Sequence, residues 1–392
     1  MAESARLRAA LAAADEDLIL YDLAGIDRQY TRLLRELPGV DVRFAMKACP
    51  VDEILAHLAG RGAGFDAASP GEIAQALATG VPADRIHYGN TIKSDRGIAE
   101  AHRLGIRDFA TDSLADVAAI ADHAPGARVF CRLATTGAGA LWGLSRKFGC
   151  SAEDAVLVLT AARAGGLTPA GLSVHVGSQQ LTAGAWRDAF DLLAEVLVAL
   201  DRHGIRPDHV NLGGGLPATG YLDRAGTPLH PPLDKIFATI REGMQRLRAL
   251  AAAPLDFVLE PGRHLVADHG AIRAHVVRLA DRRQRDGRRE HWLFLSCGKF
   301  NGLYETDQVR YRLTFPTRPD GPYLPAYVAG PTCDSDDAFA AEGEPIRVPS
   351  GATSGDPVWI LSSGAYATSY TTLGFNGFSP LPYRLIGSEG VA

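Results

Sequence analysis

The sequence predicts an α/β protein in two parts, a (β/α)8 TIM-type barrel and a β-rich domain. Short apolar runs alternate with Ala- and Leu-rich stretches of helical period over most of the chain, which indicates a parallel sheet. Eight such units in about 240 residues match the size of a TIM-type barrel. From about Gly270 onward, strand-like segments between Pro- and Gly-rich turns replace this pattern. We therefore expect the barrel over 24–269 and the β-rich domain over 1–23 and 270–392.

The predicted elements follow directly from the local sequence. The eight barrel strands are "VRFAMKA", "GAGFDAAS", "RIHYGN", "RDFATDS", "RVFCRLA", "GLSVHVGS", "HVNLGGG" and "FVLEPG". Between them, "PGEIAQALATG" has a Pro-Gly-Glu start and a closing glycine, and "WRDAFDLLAEVLVALDRHG" carries an apolar stripe, so both are predicted helices. The second domain has strands at "AIRAHVVRLA", "HWLFLSC", "DPVWILS" and "YRLIG", and the early run "LILYDL" is predicted to join its sheet.

The bulk composition excludes several classes of function. A formal net charge of −5 over 392 residues gives no electrostatic reason to expect nucleic acid or an anionic membrane as a partner. No apolar run approaches the roughly 20 residues that span a bilayer, and the N-terminus lacks the pattern of a signal peptide. Five scattered cysteines without a CxxC pair argue against a disulfide framework or a zinc site. We expect a cytoplasmic protein without a metal.

Polar groups end the predicted barrel strands. In barrels of this type the active site lies at the carboxyl ends of the strands. These ends carry, in chain order, Lys47, Asp66, Asn90, Asp112, Arg132, His175, the run Gly213-Gly214-Gly215, and Glu260. A barrel built for stability alone has no reason to ring one face with unlike charges, so we expect a site there.

The chemistry of these residues points to a phosphorylated aromatic cofactor. A lysine at a strand end suits Schiff-base formation with an aldehyde, although a lysine at the rim of a sheet is the commoner case. The triglycine lacks dinucleotide and Walker spacings, but its backbone N–H groups can close on an anion. "LEPGRH" supplies Glu260 for a ring nitrogen and Arg263 for a phosphate, while "HVGSQ" supplies His175 to stack on a ring and Ser178 for a phosphate oxygen. Pyridoxal 5′-phosphate meets each of these requirements.

Seven motifs in order carry a resemblance to a known family. They are "FAMKACP", "GFDAASPGEI", "HVGSQ", "NLGGGLP", "LEPGR", "GPTCDSDD" and "GAYATSYTTLGFNGF". The sequence resembles the fold-type III pyridoxal-phosphate decarboxylases, which act on ornithine, lysine, diaminopimelate and arginine. Its "CDSDD" and "FNGF" motifs are more similar to those of the ornithine/lysine branch than to those of the diaminopimelate branch. The resemblance covers nearly the whole chain. It implies an alanine-racemase-like barrel, a cytoplasmic homodimer with shared active sites and a place in polyamine biosynthesis.

The resemblance also implies a role for each matching residue. Lys47, Cys333 and His175 are the predicted catalytic residues: Lys47 binds the cofactor aldehyde, Cys333 from the partner subunit protonates Cα, and His175 stacks on the ring. Glu260 pairs with the ring nitrogen, and Asp66 lies beside Lys47. Arg132 supports the hydrogen-bond network. The predicted phosphate ligands are Ser178, Gly214, Gly215, Arg263 and Tyr366. The predicted substrate-binding residues are Asp334, Ser296 and Tyr304.

One departure leaves the substrate open. Where relatives specific for ornithine or lysine carry an aspartate, "LSCGKFNGLYE" has Ser296 and Cys297. Charge-assisted hydrogen bonds contribute about 1.5–3 kcal/mol each, so the loss of one carboxylate weakens binding of a cationic tail. We expect decarboxylation of L-ornithine or L-lysine, with a non-basic or carrier-protein-tethered aminoacyl group as the alternative. A racemase would lack the "GPTCDS" motif, and a non-catalytic descendant would lack Lys47 or Cys333.

Overall fold

A computed structural model describes residues 4–143, 146–339 and 345–387. The chain divides into two compact units. The barrel unit comprises Thr31–Pro217 and Pro231–Gly262, and the β unit comprises the described parts of Met1–Tyr30, Ala218–His230 and Arg263–Ala392.

The strands and helices have the following bounds. The strands are β1 Leu18–Asp22, β2 Val40–Ala45, β3 Gly64–Ala67, β4 Ile86–Tyr88, β5 Asp108–Thr111, β6 Arg128–Arg132, β7 Ala140–Trp142, β8 Thr168–Ser173, β9 Ser178–Gln180, β10 His209–Asn211, β11 Asp256–Leu259, β12 Gly270–Arg283, β13 Arg289–Leu295, β14 Arg312–Thr314, β15 Tyr323–Ala329, β16 Ile346–Pro349, β17 Pro357–Leu361 and β18 Tyr383–Ile386. The α-helices are α1 Ala5–Ala13, α2 Leu23–Glu36, α3 Asp52–Gly60, α4 Pro70–Ala78, α5 Asp95–Arg103, α6 Leu114–His123, α7 Ala152–Ala164, α8 Gly184–Arg202, α9 Leu233–Leu250 and α10 Arg263–Val266. Single 3₁₀ turns lie at Met46–Ala48, Ala83–Arg85, Ala267–His269, Tyr304–Asp307 and Phe375–Gly377.

Eight parallel strands close the predicted barrel. Their order is β10-β11-β2-β3-β4-β5-β6-β8, while β7 and β9 pair separately as a two-stranded antiparallel sheet. The register aligns Asp66 with Ala45 on one side and with His87 on the other. Helix α4 begins as predicted, because the Ser69 side chain accepts a hydrogen bond from Glu72 N–H and Pro70 occupies the first turn. The predicted barrel is confirmed.

The β unit contains an eight-stranded sheet that includes the N-terminal strand. Six strands follow the order β14-β17-β12-β13-β15-β16, and β1 pairs antiparallel with β12 and parallel with β18. Helix α1 covers part of this sheet through a buried cluster of apolar side chains: Leu7, Leu11, Leu18, Leu20, Ala271, Trp359 and Leu361. The prediction that "LILYDL" joins the second sheet is confirmed.

The barrel strands end earlier than predicted, and two of these ends bear on the site. Strand β2 ends at Ala45, and Lys47 lies in the 3₁₀ turn that follows, which the Cys49 N–H closes on the Met46 carbonyl. Strand β8 ends at Ser173, so His175 lies in the loop beyond it. In that loop Gly177 adopts a φ of 93°, which a strand does not tolerate. Lys47 and His175 therefore lie beyond the ends of their strands.

Within the described residues, no helix is long and apolar enough to cross a membrane.

Candidate active site

Lys47 and Asp66 form an ion pair in the barrel unit. Lys47 Nζ donates to Asp66 Oδ2 at 3.0 Å, and the lysine side chain is half exposed while the aspartate is buried. Burial favours a raised pKa for Asp66, but the charge of Lys47 and the contact with His87 outweigh it and hold the pKa well below its usual range. Gly89 is required beside this pair, because a Cβ there would overlap Oδ1 of Asp66. The pair holds a lysine amine next to a permanent negative charge.

Glu260, His87 and Asn211 extend the charged cluster. Oε1 of Glu260 accepts a hydrogen bond from Asn211 Nδ2 at 2.5 Å and lies 2.9 Å from His87 Nε2. The same ring nitrogen lies 3.2 Å from Asp66 Oδ1. Asn211 in turn accepts from the Gly213 N–H at 2.8 Å, which fixes its amide orientation. The sequence analysis identified Glu260 and Asp66 but missed His87 and Asn211. His87 lies within β4 and Asn211 ends β10, and the sequence around them gives no sign of a functional role.

His175 presents a neutral imidazole. Nδ1 accepts a hydrogen bond from the Gly177 N–H at 3.1 Å, and the backbone carbonyl accepts from the Thr135 hydroxyl at 2.7 Å. Burial, followed by the positive charges of Arg132 and Lys47, lowers the pKa of His175 to about 3. The ring is therefore uncharged near neutral pH and offers a flat apolar face.

The triglycine turn packs against the segment that carries His175 and Ser178. A Cβ at Gly213 would overlap the Val174 carbonyl, and one at Gly214 would lie 3.0 Å from His175 Nε2. Gly215 has a φ of 110°, and its carbonyl accepts from the Gln180 N–H at 2.9 Å. Gly213 and Gly215 adopt positive φ values that favour glycine, and a side chain at Gly214 would crowd the predicted ring-stacking histidine.

The remaining polar strand ends have different partners. Asn90 Oδ1 accepts from the Ile92 N–H, and Asp112 Oδ2 accepts from the Gly149 N–H, so both side chains hold loops. The Arg132 guanidinium lies 5.1 Å from the ring centroid of Phe148. The predicted ring of polar strand ends thus includes loop-supporting residues besides the charged cluster.

In the β unit, Arg263 is surrounded by acid and aromatic groups. Its two terminal nitrogens donate to Glu305 at 2.5 and 2.6 Å, and one also donates to the Tyr221 hydroxyl at 3.0 Å. The guanidinium lies 4.8 Å from the Tyr366 ring centroid. Phosphate binding by Arg263 and Tyr366 stays a prediction, and it requires the guanidinium to be shared with Glu305. Sequence reasoning did not identify Glu305.

Cys333 is exposed in the β unit and lies beside the "FNGF" motif. Its N–H donates to Asn376 Oδ1 at 2.9 Å. Buried Asp337 holds the loop by accepting hydrogen bonds from Thr332 and from the Lys299 N–H. The neighbouring Asp334 is exposed, with Oδ1 accepting from the Asp336 N–H at 2.8 Å.

The other two predicted substrate residues differ in their surroundings. The Ser296 hydroxyl accepts from the His275 N–H at 2.9 Å, so it contacts the backbone of β12. Tyr304 is 60% exposed, and its ring lies 4.8 Å from that of Tyr370. Substrate binding by Ser296, Asp334 and Tyr304 stays a prediction.

The donor set of the barrel unit fits pyridoxal phosphate. An amine beside a buried carboxylate suits an aldehyde, a second carboxylate suits a pyridine nitrogen, and a neutral imidazole suits a ring face. The triglycine turn has no side chains, since a Cβ there would overlap or crowd neighbouring atoms, and its bare backbone suits close approach to a phosphate. Fold and site together define a pyridoxal-phosphate-binding TIM-type barrel.

Comparison with known proteins gives the family. The family model for the pyridoxal-dependent decarboxylase, pyridoxal binding domain, matches residues 23–267. A lysine/ornithine decarboxylase from Selenomonas ruminantium is 30% identical over 369 residues, which cover 93% of this chain and 88% of the relative. The chain belongs to the fold-type III pyridoxal-phosphate decarboxylases, and its cofactor is pyridoxal 5′-phosphate.

Two crystal structures show the same fold with amines bound. SrLDC in complex with PLP and cadaverine is 27% identical with a TM-score of 0.84, over 98% of this chain and 94% of that one. The lysine/ornithine decarboxylase of Vibrio vulnificus with putrescine is 28% identical with a TM-score of 0.83, over 98% and 99% of the two chains. The predicted family, fold, cofactor and class of enzyme, an amino acid decarboxylase, are confirmed.

The low pKa of His175 predicts a pH-dependent stability difference. The folded protein disfavours the charged form of the ring. The contribution of the neutral His175 ring to the free energy of unfolding is therefore fully present above pH 6.5, and it is lost as the pH falls from 6.5 toward about 3. Relative to cofactor-free His175→Phe, the cofactor-free wild-type protein should lose about 2 kcal/mol of unfolding free energy between pH 7.5 and 5. Urea denaturation at both pH values measures the difference. Parallel behaviour of the two proteins would contradict the assignment of a neutral buried ring.

Proposed function

We propose that this decarboxylase removes the α-carboxylate of L-ornithine or L-lysine and releases the amine and CO2. The observation that carries the proposal is the exposed acidic loop at Asp334, directly beside the exposed thiol of Cys333. A carboxylate next to a proton donor suits a substrate with a distal ammonium group. The related structures with cadaverine and putrescine, two diamines, support this substrate class. The reaction would serve polyamine formation in the cytoplasm.

The barrel residues have separable roles in this reaction. Pyridoxal phosphate, when bound, supplies the conjugated ring that accepts the electron pair left by the departing carboxylate. Lys47 would hold the cofactor through its aldehyde, and Asp66 orients the amine. Glu260 would bind the pyridine nitrogen through a carboxylate that Asn211 already orients. His175 would cover the ring face as a neutral group. Ser178, Gly214 and Gly215 would hold the phosphate, with Arg263 and Tyr366 as further predicted ligands and Arg132 in support.

Shared active sites in a homodimer are also part of the proposal. The β unit exposes apolar side chains on the segment that contacts Cys333 through Asn376, including Leu373 at 90% and Tyr370 at 46% exposure. Exposed apolar groups of this kind mark protein interfaces. An interface there would bring Cys333 of the partner subunit to the cofactor, where its Sγ would hold the proton for Cα.

A second candidate substrate is a non-basic or carrier-protein-tethered aminoacyl group. The observation that favours it is Ser296, whose neutral hydroxyl contacts the β12 backbone where a second carboxylate is expected. A distal pocket with Asp334 alone attracts an ammonium less strongly than one with two carboxylates.

Subunit mixing tests the shared site. Lys47→Ala and Cys333→Ala homodimers should each be inactive as decarboxylases, because one lacks the cofactor amine and the other lacks the proton donor. A mixed dimer contains one site with both residues, so mixing should restore up to about half of the wild-type activity per heterodimer. The measurement is amine release after subunit exchange, with exchange verified by mass spectrometry of tagged chains. Complete exchange without recovered activity would refute shared sites.

A substrate screen combined with Ser296→Asp separates the two substrate classes. Purified, cofactor-loaded enzyme is tested for CO2 release from ornithine, lysine, arginine, diaminopimelate and glutamate. If the substrate has a cationic tail, the new carboxylate should lower its KM by roughly tenfold per 1.4 kcal/mol gained. If the tail is acidic or tethered, the same change should reduce turnover.

The matched control is Ser350→Asp, which adds the same charge at an exposed turn of the β unit. An equal effect of both variants would show a general charge effect. Turnover of none of the amino acids would contradict a free basic substrate.

A further inference from the structure

His87 is a buried histidine inside the barrel that lies outside every motif of the family resemblance. It occupies the middle of strand β4, with 2% of its surface exposed, and its register partner on β3 is Asp66. Barrel interiors are normally filled by layers of branched apolar side chains. A titratable ring in this position therefore requires polar partners.

The two ring nitrogens of His87 face groups of opposite charge. Nδ1 lies 3.1 Å from Arg43 Nη1, and Nε2 lies 2.9 Å from Glu260 Oε1 and 3.2 Å from Asp66 Oδ1. A guanidinium only donates hydrogen bonds, so Nδ1 is the acceptor and the proton resides on Nε2. The Nε2–H bond is aligned with neither oxygen, so the ring acts on both carboxylates through its charge distribution.

A metal ion is the alternative occupant of this cluster, because Asp66, His87 and Glu260 place three ligand atoms within 4.8 Å of one another. A histidine that binds a metal normally donates its other ring N–H to a carboxylate, carbonyl or water. Here that other nitrogen faces Arg43, and Asp66 already binds the ammonium of Lys47. Both contacts favour a proton on Nε2 over a cation.

We propose that His87 is a positioning residue that acts on the cofactor through Glu260. Asn211 and His87 approach the same oxygen of Glu260, Oε1, so that Oε2 is left for the pyridine nitrogen. The imidazole N–H also lies close to both carboxylates, Glu260 and Asp66, and reduces their mutual repulsion. A carboxylate held in this orientation would bind a protonated pyridine nitrogen. This inference rests on the proposed role of Glu260.

The test is the ¹⁵N chemical shift of the pyridine nitrogen in holoenzyme loaded with ¹⁵N-labelled pyridoxal phosphate. In His87→Leu the resonance should move toward the unprotonated position, and the dissociation constant of the cofactor should rise roughly tenfold. His87→Gln keeps an N–H donor at similar reach and should lie closer to wild type. A purely structural role would not move the pyridine resonance.

His209→Leu is the matched control. The His87 and His209 rings both contact Phe130, at centroid distances of 5.2 and 5.6 Å, but His209 pairs with Asp208. This variant should match wild type in both measurements. If His209→Leu shifts the pyridine resonance as much as His87→Leu does, the effect comes from core packing and the proposal is wrong.

Glu260→Gln separates this inference from the proposed function. If Glu260→Gln shifts the resonance and His87→Leu does not, only the role of His87 fails. If neither variant shifts it, the proposed role of Glu260 fails as well. A rise in melting temperature of cofactor-free wild type with Zn²⁺ or Mn²⁺, lost in His87→Leu, would identify a cation site and overturn the proposal.

The wild-type protein provides a test that does not depend on variant folding. With ¹⁵N-labelled histidine, the His87 signals should show a protonated Nε2 and an unprotonated Nδ1. The opposite tautomer would contradict the contact with Arg43 from which the proposal is argued.

Discussion

The contact between Lys47 and Asp66 is the interaction on which the rest of the barrel site depends. The ammonium of Lys47, in the turn after β2, is stabilised by the buried carboxylate of Asp66 on the neighbouring strand, 3.0 Å away. The carboxylate of Asp66 fills the space next to Gly89, where a side chain would overlap it, so residue 89 must be a glycine. Removal of the Lys47 charge would leave the buried carboxylate of Asp66 without this cation.

The pair belongs to a chain of alternating charges that runs through the barrel interior. Arg43 contacts His87, His87 contacts Asp66 and Glu260, and Asp66 contacts Lys47. Two cations thus offset two carboxylates across one imidazole, so the desolvation of each group is compensated by a neighbour of opposite charge. Such an arrangement fixes each side chain before the cofactor binds, and a pre-arranged site loses little free energy to reorganisation during catalysis.

The sequence predicted the fold well because its signals are local. The alternation of strands and helices, the Ser69 cap of α4 and the apolar run of β1 are each encoded within about ten residues. Sequence motifs singled out Lys47 and Glu260, which the structure places in one charged cluster. His87 was missed because an isolated histidine in a strand is usually interpreted as a core residue. Its contact with Glu260 forms only when the strands assemble into the barrel. Glu305 was missed for a similar reason, since it lies 42 residues from Arg263.

The central claim is that Lys47 is the amine that carries pyridoxal phosphate. The most direct measurement is borohydride reduction of the holoenzyme, followed by digestion and mass spectrometry to locate the pyridoxyl group. Lys47 should carry it, and Lys47→Ala, shown to be folded by circular dichroism, should carry none. A reduced pyridoxyl group on Lys93 or Lys299 in the wild-type protein, or one that persists in Lys47→Ala, would contradict the assignment.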